Sequence, residues 1–286
     1  MNNAILVPSE HLSGDVMVLK GAWQPENRRL FEEGKAIGIR LSASMGWKAE
    51  DLAFLGDLPN LKSVEIFHQQ VKDISVLSSL RNLQHIGLET PFKRFDFSGF
   101  ESLSTALVKW RPGCETLFNI PTLRYLNIDE FPYEDLEALK VLTQLNRLSL
   151  ESKKLESFQG LEHLTALTTL ELFKCAALEN TSSLASAPQL NVIQFHTCKK
   201  LENIDSISAC KNLRILHVEN ESGGKLDSVQ FLRNCQELEK LFLIGIYVKD
   251  GDLTPILELK KLRALAIANY KHHKPSREEL KSKLSI

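Results

Sequence analysis

The sequence lacks an excess of charge of either sign and has no long hydrophobic run. Its 35 lysines and arginines nearly balance 36 aspartates and glutamates, for a formal net charge of −1. Without a basic surplus, the chain has no bulk electrostatic attraction for nucleic acid or for an anionic membrane. No apolar stretch approaches the roughly 18 residues that suggest a transmembrane helix. We therefore expect that neither nucleic acid nor a membrane is a partner.

Cysteine pairs and catalytic signatures are also missing. Five cysteines are present, an odd number, and no two of them form a C-x-x-C pair, which is typical of thiols that stay reduced. Residues 1–15 have no basic segment before their short apolar run and make a poor signal peptide. These features predict a cytoplasmic protein. Because the motifs G-x-S-x-G, G-x-x-x-x-G-K-S/T and H-E-x-x-H do not occur, we predict neither catalysis nor a cofactor.

A repeated leucine pattern dominates what is present. The stretch LNRLSL at 145–150 has leucine at its first, fourth and sixth positions, and LTTLEL at 167–172 repeats this arrangement 22 residues later. Such a unit cannot bury its own apolar side and must stack on copies of itself. Nine units carry an apolar residue at all three positions, and their first members are Leu61, Leu83, Leu123, Leu145, Leu167, Leu190, Leu213, Leu238 and Leu262.

One interval in the array is longer than the rest. Successive first members lie 22 to 25 residues apart, except for a gap of 40 that corresponds to two short units. This gap predicts a degenerate unit near 103–108. Its three inward positions could be Leu103, Ala106 and Val108, or Leu107 could take one of them. The array then contains ten units.

These units resemble the leucine-rich repeat family. The segments VKDISVLSSLRNL at 71–83 and LESFQGL at 155–161 look like its short 22-residue subclass, which includes internalins and phosphatase regulatory subunits, and give the chain a bacterial appearance. The resemblance covers roughly residues 50–270. It implies an α/β fold of the leucine-rich repeat solenoid type, a curved right-handed horseshoe. Parallel strands would line its concave face, and short 3₁₀ or loop segments its convex face.

The N-terminal residues do not show the repeat. VMVLK from Val16 and the alternating AIGIRL from Ala36 are typical of strands, and Pro25 begins a helical run that Gly34 would end. A solenoid needs a cap, because its first repeat would otherwise expose an apolar end and a sheet edge. We predict that residues 1–48 form this cap.

The C-terminal residues predict a second cap. Ser276 is followed three residues later by Glu279, the spacing of a capping box, so a helix is expected from about 277 to 284. Leu280 and Leu284 would cover the last repeat. The predicted domains are an N-terminal cap at 1–48, the array at 49–270 and a C-terminal capping helix within 271–286.

Alternate residues of each repeat strand should face solvent on the concave side. Side chains alternate along a strand and neighbouring strands lie about 4.8 Å apart, so equivalent positions form columns. These columns hold exposed rings beside charges, which is typical of binding hot spots, and a mild excess of acids favours a basic partner. The plainer alternative is a polar surface that only keeps the protein soluble. The candidate partner-binding residues are Glu65, Phe67, Glu89, Trp110, Tyr125, Asp129, Arg147, Glu151, Glu171, Phe173, His196, His217, Glu219 and Phe242.

Three of these candidates also have the chemistry of a metal site. His196, His217 and Glu219 fall on neighbouring strands, and two imidazoles with a carboxylate can bind zinc. An open sheet, a missing fourth ligand and no evident supporting groups weigh against this reading, so we predict no metal site. The cysteines are expected to fill buried repeat positions, with Cys114 in an irregular stretch and more exposed.

The repeat is irregular in two places. Four phenylalanines between 91 and 100, followed by Trp110, either fill the core of a shortened unit or form a protruding aromatic patch. Near the C-terminus, several predicted concave positions are apolar and would need a cover. These positions are Phe242, Ile244, Ala264, Ala266 and Ala268.

The function predicted from these features is non-catalytic protein binding by a monomer. A preformed sheet surface loses little entropy when a protein or peptide docks on it. One alternative is an inhibitor or immunity-type protein that occludes a toxin or enzyme. Another is an enzyme or metal-binding protein that uses the histidine and carboxylate cluster.

Overall fold

The structure is a computed structural model that describes residues 3–48, 51–58 and 60–285. It divides into two compact units, Met1–Ile128 and Asp129–Ile286, which we call unit 1 and unit 2. The boundary predicted between residues 48 and 49 and the outer limits at 1 and 286 lie outside the described residues. The three predicted domains therefore stay predictions.

Unit 1 is built on a sheet whose strands follow the order of the sequence. They are β1 (Ala4–Pro8), β2 (Asp15–Leu19), β3 (Gly38–Ser42), β4 (Ser63–Phe67), β5 (His85–Glu89), β6 (Thr105–Lys109) and β7 (Tyr125–Asp129), whose last residue belongs to unit 2. Strands β1 and β2 are antiparallel, and β2 to β6 pair in parallel. The connections contain helix α1 (Arg29–Glu32) and the 3₁₀ segments Pro25–Arg28, Ala43–Met45, Ala53–Asp57, Ser75–Ser79 and Cys114–Asn119.

Unit 2 continues the same construction. Its strands are β8 (Arg147–Glu151), β9 (Thr169–Phe173), β10 (Val192–His196), β11 (Ile215–Leu226), β12 (Lys240–Val248) and β13 (Ala264–Ile267). They pair in parallel in sequence order. The 3₁₀ segments are Glu137–Leu139, Leu161–His163, Ser182–Ser186, Asp205–Ala209, Gln230–Asn234 and Thr254–Glu258, and helix α2 (Arg277–Leu284) follows the last strand.

The predicted fold class is confirmed: the chain is an α/β leucine-rich repeat solenoid. Parallel strands and short 3₁₀ segments alternate, and the three leucine positions of each unit point into the core. In the unit used above as the example, Leu145, Leu148 and Leu150 are all fully buried. The side chains between them form the opposite surface of the sheet, which we call the strand face.

The degenerate unit has the first of the two predicted registers. Leu103, Ala106 and Val108 are at most 3% exposed, whereas Leu107 is half-buried on the strand face. Thr105 to Lys109 form β6, which pairs with β5 in the register of the other repeats.

The parallel register also extends upstream of the first repeat identified from the sequence. Ile39 pairs with Val64 and Leu41 with Ile66, as in the regular units. Ala36 takes the first leucine position and is 5% exposed. A small residue at that position explains why the leucine pattern did not reveal this strand.

The phenylalanine-rich stretch belongs to the core. Phe92, Phe95, Phe97 and Phe100 are 8% exposed or less. Phe97 packs edge-on against Phe95, with ring centroids 4.9 Å apart and ring planes at 71°. The alternative of a protruding aromatic patch in this stretch is therefore wrong, since a shortened unit uses these rings as filling.

The five cysteines are buried and unpaired. The expectation that Cys114 is more exposed is wrong: it begins a 3₁₀ segment and is fully buried. Burial raises the pKa of the Cys114 thiol to about 11, so the thiol form predominates at neutral pH.

The predicted C-terminal helix is confirmed as α2. The Ser276 hydroxyl accepts a hydrogen bond from the Glu279 backbone N–H, and the Glu279 carboxylate accepts one from the Ser276 backbone N–H at 2.7 Å. Leu280 is fully buried against the repeat array and Leu284 is half-buried. Among the described residues, no helix has the length and apolar character needed to cross a membrane.

Candidate functional site

The strand face of unit 1 contains a buried ion-pair network. Glu65 on β4 is 4% exposed and His85 on β5 is fully buried. Arg40 on β3 donates from its Nε to one oxygen of Glu65, and His85 Nε2 lies 3.1 Å from the other. Glu65 was predicted as a partner-binding residue, but its carboxylate is enclosed and fully engaged within the protein.

The pKa of Glu65 reflects this environment. Burial alone raises it, but the hydrogen bonds from His85 and Arg40 outweigh that effect and lower the pKa to about 2. The carboxylate is therefore ionised at any physiological pH and contributes to the stability of unit 1.

The loop between β1 and β2 covers this network. The His11 ring stacks on the His85 ring at 4.4 Å and lies 5.9 Å from the ring of Tyr125, another predicted partner-binding residue. Glu10 in the same loop lies 3.6 Å from Arg40. Part of the strand face in unit 1 is thus occupied by its own chain.

The remaining candidates of unit 1 are less enclosed than Glu65. Phe67 is half-buried and Glu89 is exposed at the end of β5. Trp110 is half-buried and stacks on Phe118, with ring centroids 5.9 Å apart. Trp110 therefore packs against the 3₁₀ segment that follows β6.

Unit 2 brings its predicted rings together in one row. Phe173, His196, His217 and Phe242 come from β9, β10, β11 and β12, and we call them the ring row. The ring of His196 stacks on Phe173 at 4.8 Å with planes 4° apart. The ring centroid of His217 lies 4.6 Å from that of His196 and 5.3 Å from that of Phe242. All four side chains are half-buried, so each presents part of its ring to solvent.

Strand register produces the ring row. Phe173 pairs with His196 across β9 and β10, and His217 pairs with Phe242 across β11 and β12. His196 pairs directly with Glu219, which places that carboxylate beside both histidines. The regular spacing of the leucine positions thus fixes the positions of these rings as well.

Most acidic candidates of unit 2 are already paired. Arg147 Nε and Nη2 each donate to one oxygen of Glu171 at 3.0 Å, and Glu171 is 7% exposed. Lys174 Nζ lies 2.9 Å from Glu151. Asp129 is exposed at the end of β7. These pairings neutralise most of the acidity that the sequence suggested for this face.

Histidines and a carboxylate meet at the centre of the ring row. His196 Nδ1 lies 3.1 Å, and His217 Nε2 3.2 Å, from the same oxygen of Glu219. His196 Nε2 lies 3.0 Å from Gln194 Oε1. Burial and the neighbouring His196 lower the pKa of His217, against the opposing effect of Glu219. Sequence reasoning found the three ligand-type residues but missed Gln194.

The apolar positions next to the ring row are partly exposed. Ile244, two residues after Phe242 on β12, is 39% exposed, and Ala264, Ala266 and Ala268 are half-buried. This patch extends the accessible surface of the ring row towards the C-terminus.

Three bacterial leucine-rich repeat proteins are among the solved structures that resemble this chain. An internalin of Listeria monocytogenes has a TM-score of 0.57 and 19% sequence identity, over 89% of this chain and 87% of that protein. A second internalin from the same organism has a TM-score of 0.46 and 16% identity, over 73% of this chain and 82% of that one. A leucine-rich repeat protein of Leptospira interrogans has a TM-score of 0.36 and 14% identity, over 93% of this chain and 92% of that protein. The first likeness supports the leucine-rich repeat fold inferred from the sequence.

No protein-family profile matches the chain, and no curated protein matches it in sequence.

Proposed function

We propose that the protein is a non-catalytic binding module, and that the ring row of unit 2 is the centre of its binding face for a protein or peptide partner. The observation that carries the proposal is the row itself. Four half-exposed rings from four adjacent strands lie in mutual contact, with centroid distances from 4.6 to 5.3 Å. Rings fixed by stacking lose little conformational entropy on binding and supply a large contact area.

The rim of the ring row supplies polar contacts. Arg147 is exposed, and Glu151 and Glu219 are partly exposed. A central apolar or aromatic surface with a hydrogen-bonding rim is the usual anatomy of a protein interface. In unit 1 the loop carrying His11 already occupies part of the strand face, which favours unit 2 as the open surface.

The pairing of the carboxylates bears on what the face selects. A surface on which Arg147 neutralises Glu171 and Lys174 neutralises Glu151 attracts a basic partner weakly. We therefore propose recognition mainly by ring stacking and hydrogen bonding, with opposite charge in a secondary role. The partner segment would carry an aromatic or guanidinium group that stacks on the row.

We expect the affinity for the partner to depend only weakly on salt. A partner would be captured from a native cell extract on the immobilised chain, purified, and titrated against the chain by calorimetry. Raising the ionic strength to about 1 M, where the Debye length is about 3 Å, should change the Kd by less than about tenfold. The inhibitor alternative, which requires charge complementarity, predicts a much steeper loss of affinity. A steep loss would therefore contradict our proposal.

We also propose that the protein resides in a reducing compartment such as the cytoplasm. Its five cysteines are buried and unpaired, and unpaired thiols are typical of such compartments. Fractionation of the native cells, followed by immunodetection, tests this location directly.

A further inference from the structure

A chain of hydrogen bonds fixes the orientation of His196. Glu171 is held by two bonds from Arg147, and Gln194 Nε2 lies 3.5 Å from Glu171 Oε1. A carboxylate only accepts hydrogen bonds, so it orients the NH₂ group of Gln194 towards itself. With the amide oxygen of Gln194 facing His196 Nε2 at 3.0 Å, the hydrogen bond between them forms in the tautomer that carries its proton on Nε2.

In this tautomer, Nδ1 of His196 carries no proton and presents a lone pair. In a neutral imidazole with a proton on Nε2, Nδ1 is an acceptor. Nδ1 of His196 lies 3.1 Å from Glu219 Oε2, which is also an acceptor. His217 Nε2 is enclosed, lies 3.2 Å from the same oxygen, and makes no hydrogen bond to any described residue. In this tautomer, two acceptors 3.1 Å apart are held together by a cation, either a proton or a metal ion.

We propose that His196 Nδ1, His217 Nε2 and Glu219 Oε2 form a binding site for a divalent transition-metal ion, with zinc as the best fit. Two imidazoles and one carboxylate are a ligand set that zinc uses in three-residue open sites. Imidazole donors favour zinc and its neighbours over magnesium or calcium, which prefer oxygen ligands. This site goes beyond the proposed binding function and does not depend on it.

The distances suit a small metal ion. A tetrahedral ion with bonds of about 2.0–2.1 Å places its ligand atoms about 3.3–3.4 Å apart. The two nitrogen to oxygen distances are 3.1 and 3.2 Å, and all three ligand atoms lie within 4.8 Å of one another. The two nitrogen to oxygen distances therefore already match those around a tetrahedral ion. Only the two imidazole nitrogens would have to move slightly closer to each other.

The residues around the cluster supply supporting hydrogen bonds. The sequence alone did not reveal such bonds, which was one reason for predicting no metal site. A metal-ligating histidine usually donates its second N–H to an oxygen, which fixes the ring and raises its basicity. Gln194 accepts that bond from His196, and Glu171 and Arg147 hold Gln194 in turn.

The backbone also orients the carboxylate ligand. The pairing of β11 with β12 shifts register between Glu219 and Gly224, so a bulge begins directly after the ligand. Bulges redirect the side chains beside them and often occur next to functional sites. The side chains of His196, His217 and Glu219 are 20%, 20% and 26% exposed, so water or a donor from a binding partner can reach this cluster and complete the coordination of an ion.

A single proton could also separate His196 from Glu219, as an imidazolium paired with a carboxylate. This rival makes a different prediction, because a proton that already satisfies both groups leaves the site without stoichiometric metal binding at micromolar concentration. Titration with a metal ion therefore decides between the two explanations.

The test is a titration of the purified full chain, freed of metal with a chelator, with Co²⁺ and with Zn²⁺. We expect one ion per chain at micromolar or lower concentration, with the intense visible absorption of tetrahedral cobalt. His217→Ala and Glu219→Gln should each weaken binding by at least a hundredfold. Gln194→Ala, which touches no metal, should weaken it by about 10- to 100-fold.

His163→Ala is the matched control. His163 lies on the surface of unit 2 with Glu162 and Glu137, a second group of ligand-type residues. Its replacement should leave the stoichiometry and affinity unchanged. Circular dichroism of each variant checks that the fold is retained. If the His217→Ala variant does not fold, the affinity of Glu219→Gln for the metal decides the test.

Three outcomes would overturn the proposal. The first is the absence of stoichiometric binding to the intact chain. The second is affinity that survives both His217→Ala and Glu219→Gln. The third is binding lost in His163→Ala, which would place the ion at the surface group.

Discussion

Replacing Phe173 with alanine is expected to weaken partner binding by about 30-fold or more. Phe173 stacks on His196 at 4.8 Å with nearly parallel rings, so its removal deletes a contact surface and also frees the imidazole beside it. Truncation of a central aromatic hot spot typically costs at least about 2 kcal/mol, which corresponds to that factor in Kd. The same substitution at Phe242, the other end of the ring row, should have a similar effect.

The control for this experiment is Val141→Ala. Val141 is 45% exposed in unit 2 but lies outside the repeat strands, so its truncation removes apolar surface without touching the ring row. Calorimetric Kd values for the three variants and the parent chain are the measurement. If Phe173→Ala and Phe242→Ala bind as tightly as Val141→Ala, the ring row is not the binding face.

Replacing Glu65 with alanine is expected to lower the free energy of unfolding by about 3–5 kcal/mol. Glu65 is 4% exposed, and its loss leaves Arg40 and the fully buried His85 without their shared acceptor. Removal of one partner from a buried ion pair usually has a cost of this size. Glu89→Ala, at an exposed position of β5, should change stability by less than about 0.5 kcal/mol. Urea unfolding followed by circular dichroism measures both.

The same carboxylate predicts part of the acid sensitivity of the protein. Its pKa is about 2 in the folded chain against an ordinary value of 4.5, so the unfolded chain takes up the proton first as the pH falls. The stabilisation from Glu65 is present above pH 4.5 and is lost as the pH falls from there towards 2. Glu65→Gln should therefore be less stable than the parent at pH 6, and the difference should shrink with acidification. Parallel stability profiles for the two proteins would contradict this account.

The repeat pattern predicted most of the fold because it depends on local spacing. Leucines at fixed intervals specify a strand, its inward face and its neighbour. The spacing therefore predicted an irregular unit near 103–108 but left two registers open, and burial in the structure distinguishes them. Ser276 and Glu279 likewise specified the start of α2, since a capping box involves contacts only three residues apart.

The sequence did not predict the hairpin of β1 and β2. It therefore did not predict that a loop of this hairpin encloses the network of Arg40, Glu65 and His85 in unit 1. The loop that carries His11 reaches β5 and β7 through contacts between residues distant in sequence, and no periodic signal indicates such a contact. Position 65 has the same place in its repeat as position 171, and the pattern predicts both as surface residues. The cover over Glu65 and the pairing of Glu171 with Arg147 are tertiary effects.

The candidate site was predicted in its components but not in its organisation. The columns placed Phe173, His196, His217 and Phe242 on adjacent strands, and register then brought their rings into contact. The role of Gln194 depends on the orientation of one amide group, which is set by Glu171 and is not encoded in any spacing. Supporting residues of this kind are visible only once side chains are placed.

Cross-linking of the bound partner tests the central claim most directly. A photoreactive amino acid would be placed at position 244, beside the ring row, and in a second variant at position 141, outside it. Our account predicts efficient cross-links from position 244, with competition by unlabelled chain, and few from position 141. Cross-links from position 141 with none from 244 would contradict the claim that the ring row of unit 2 binds the partner.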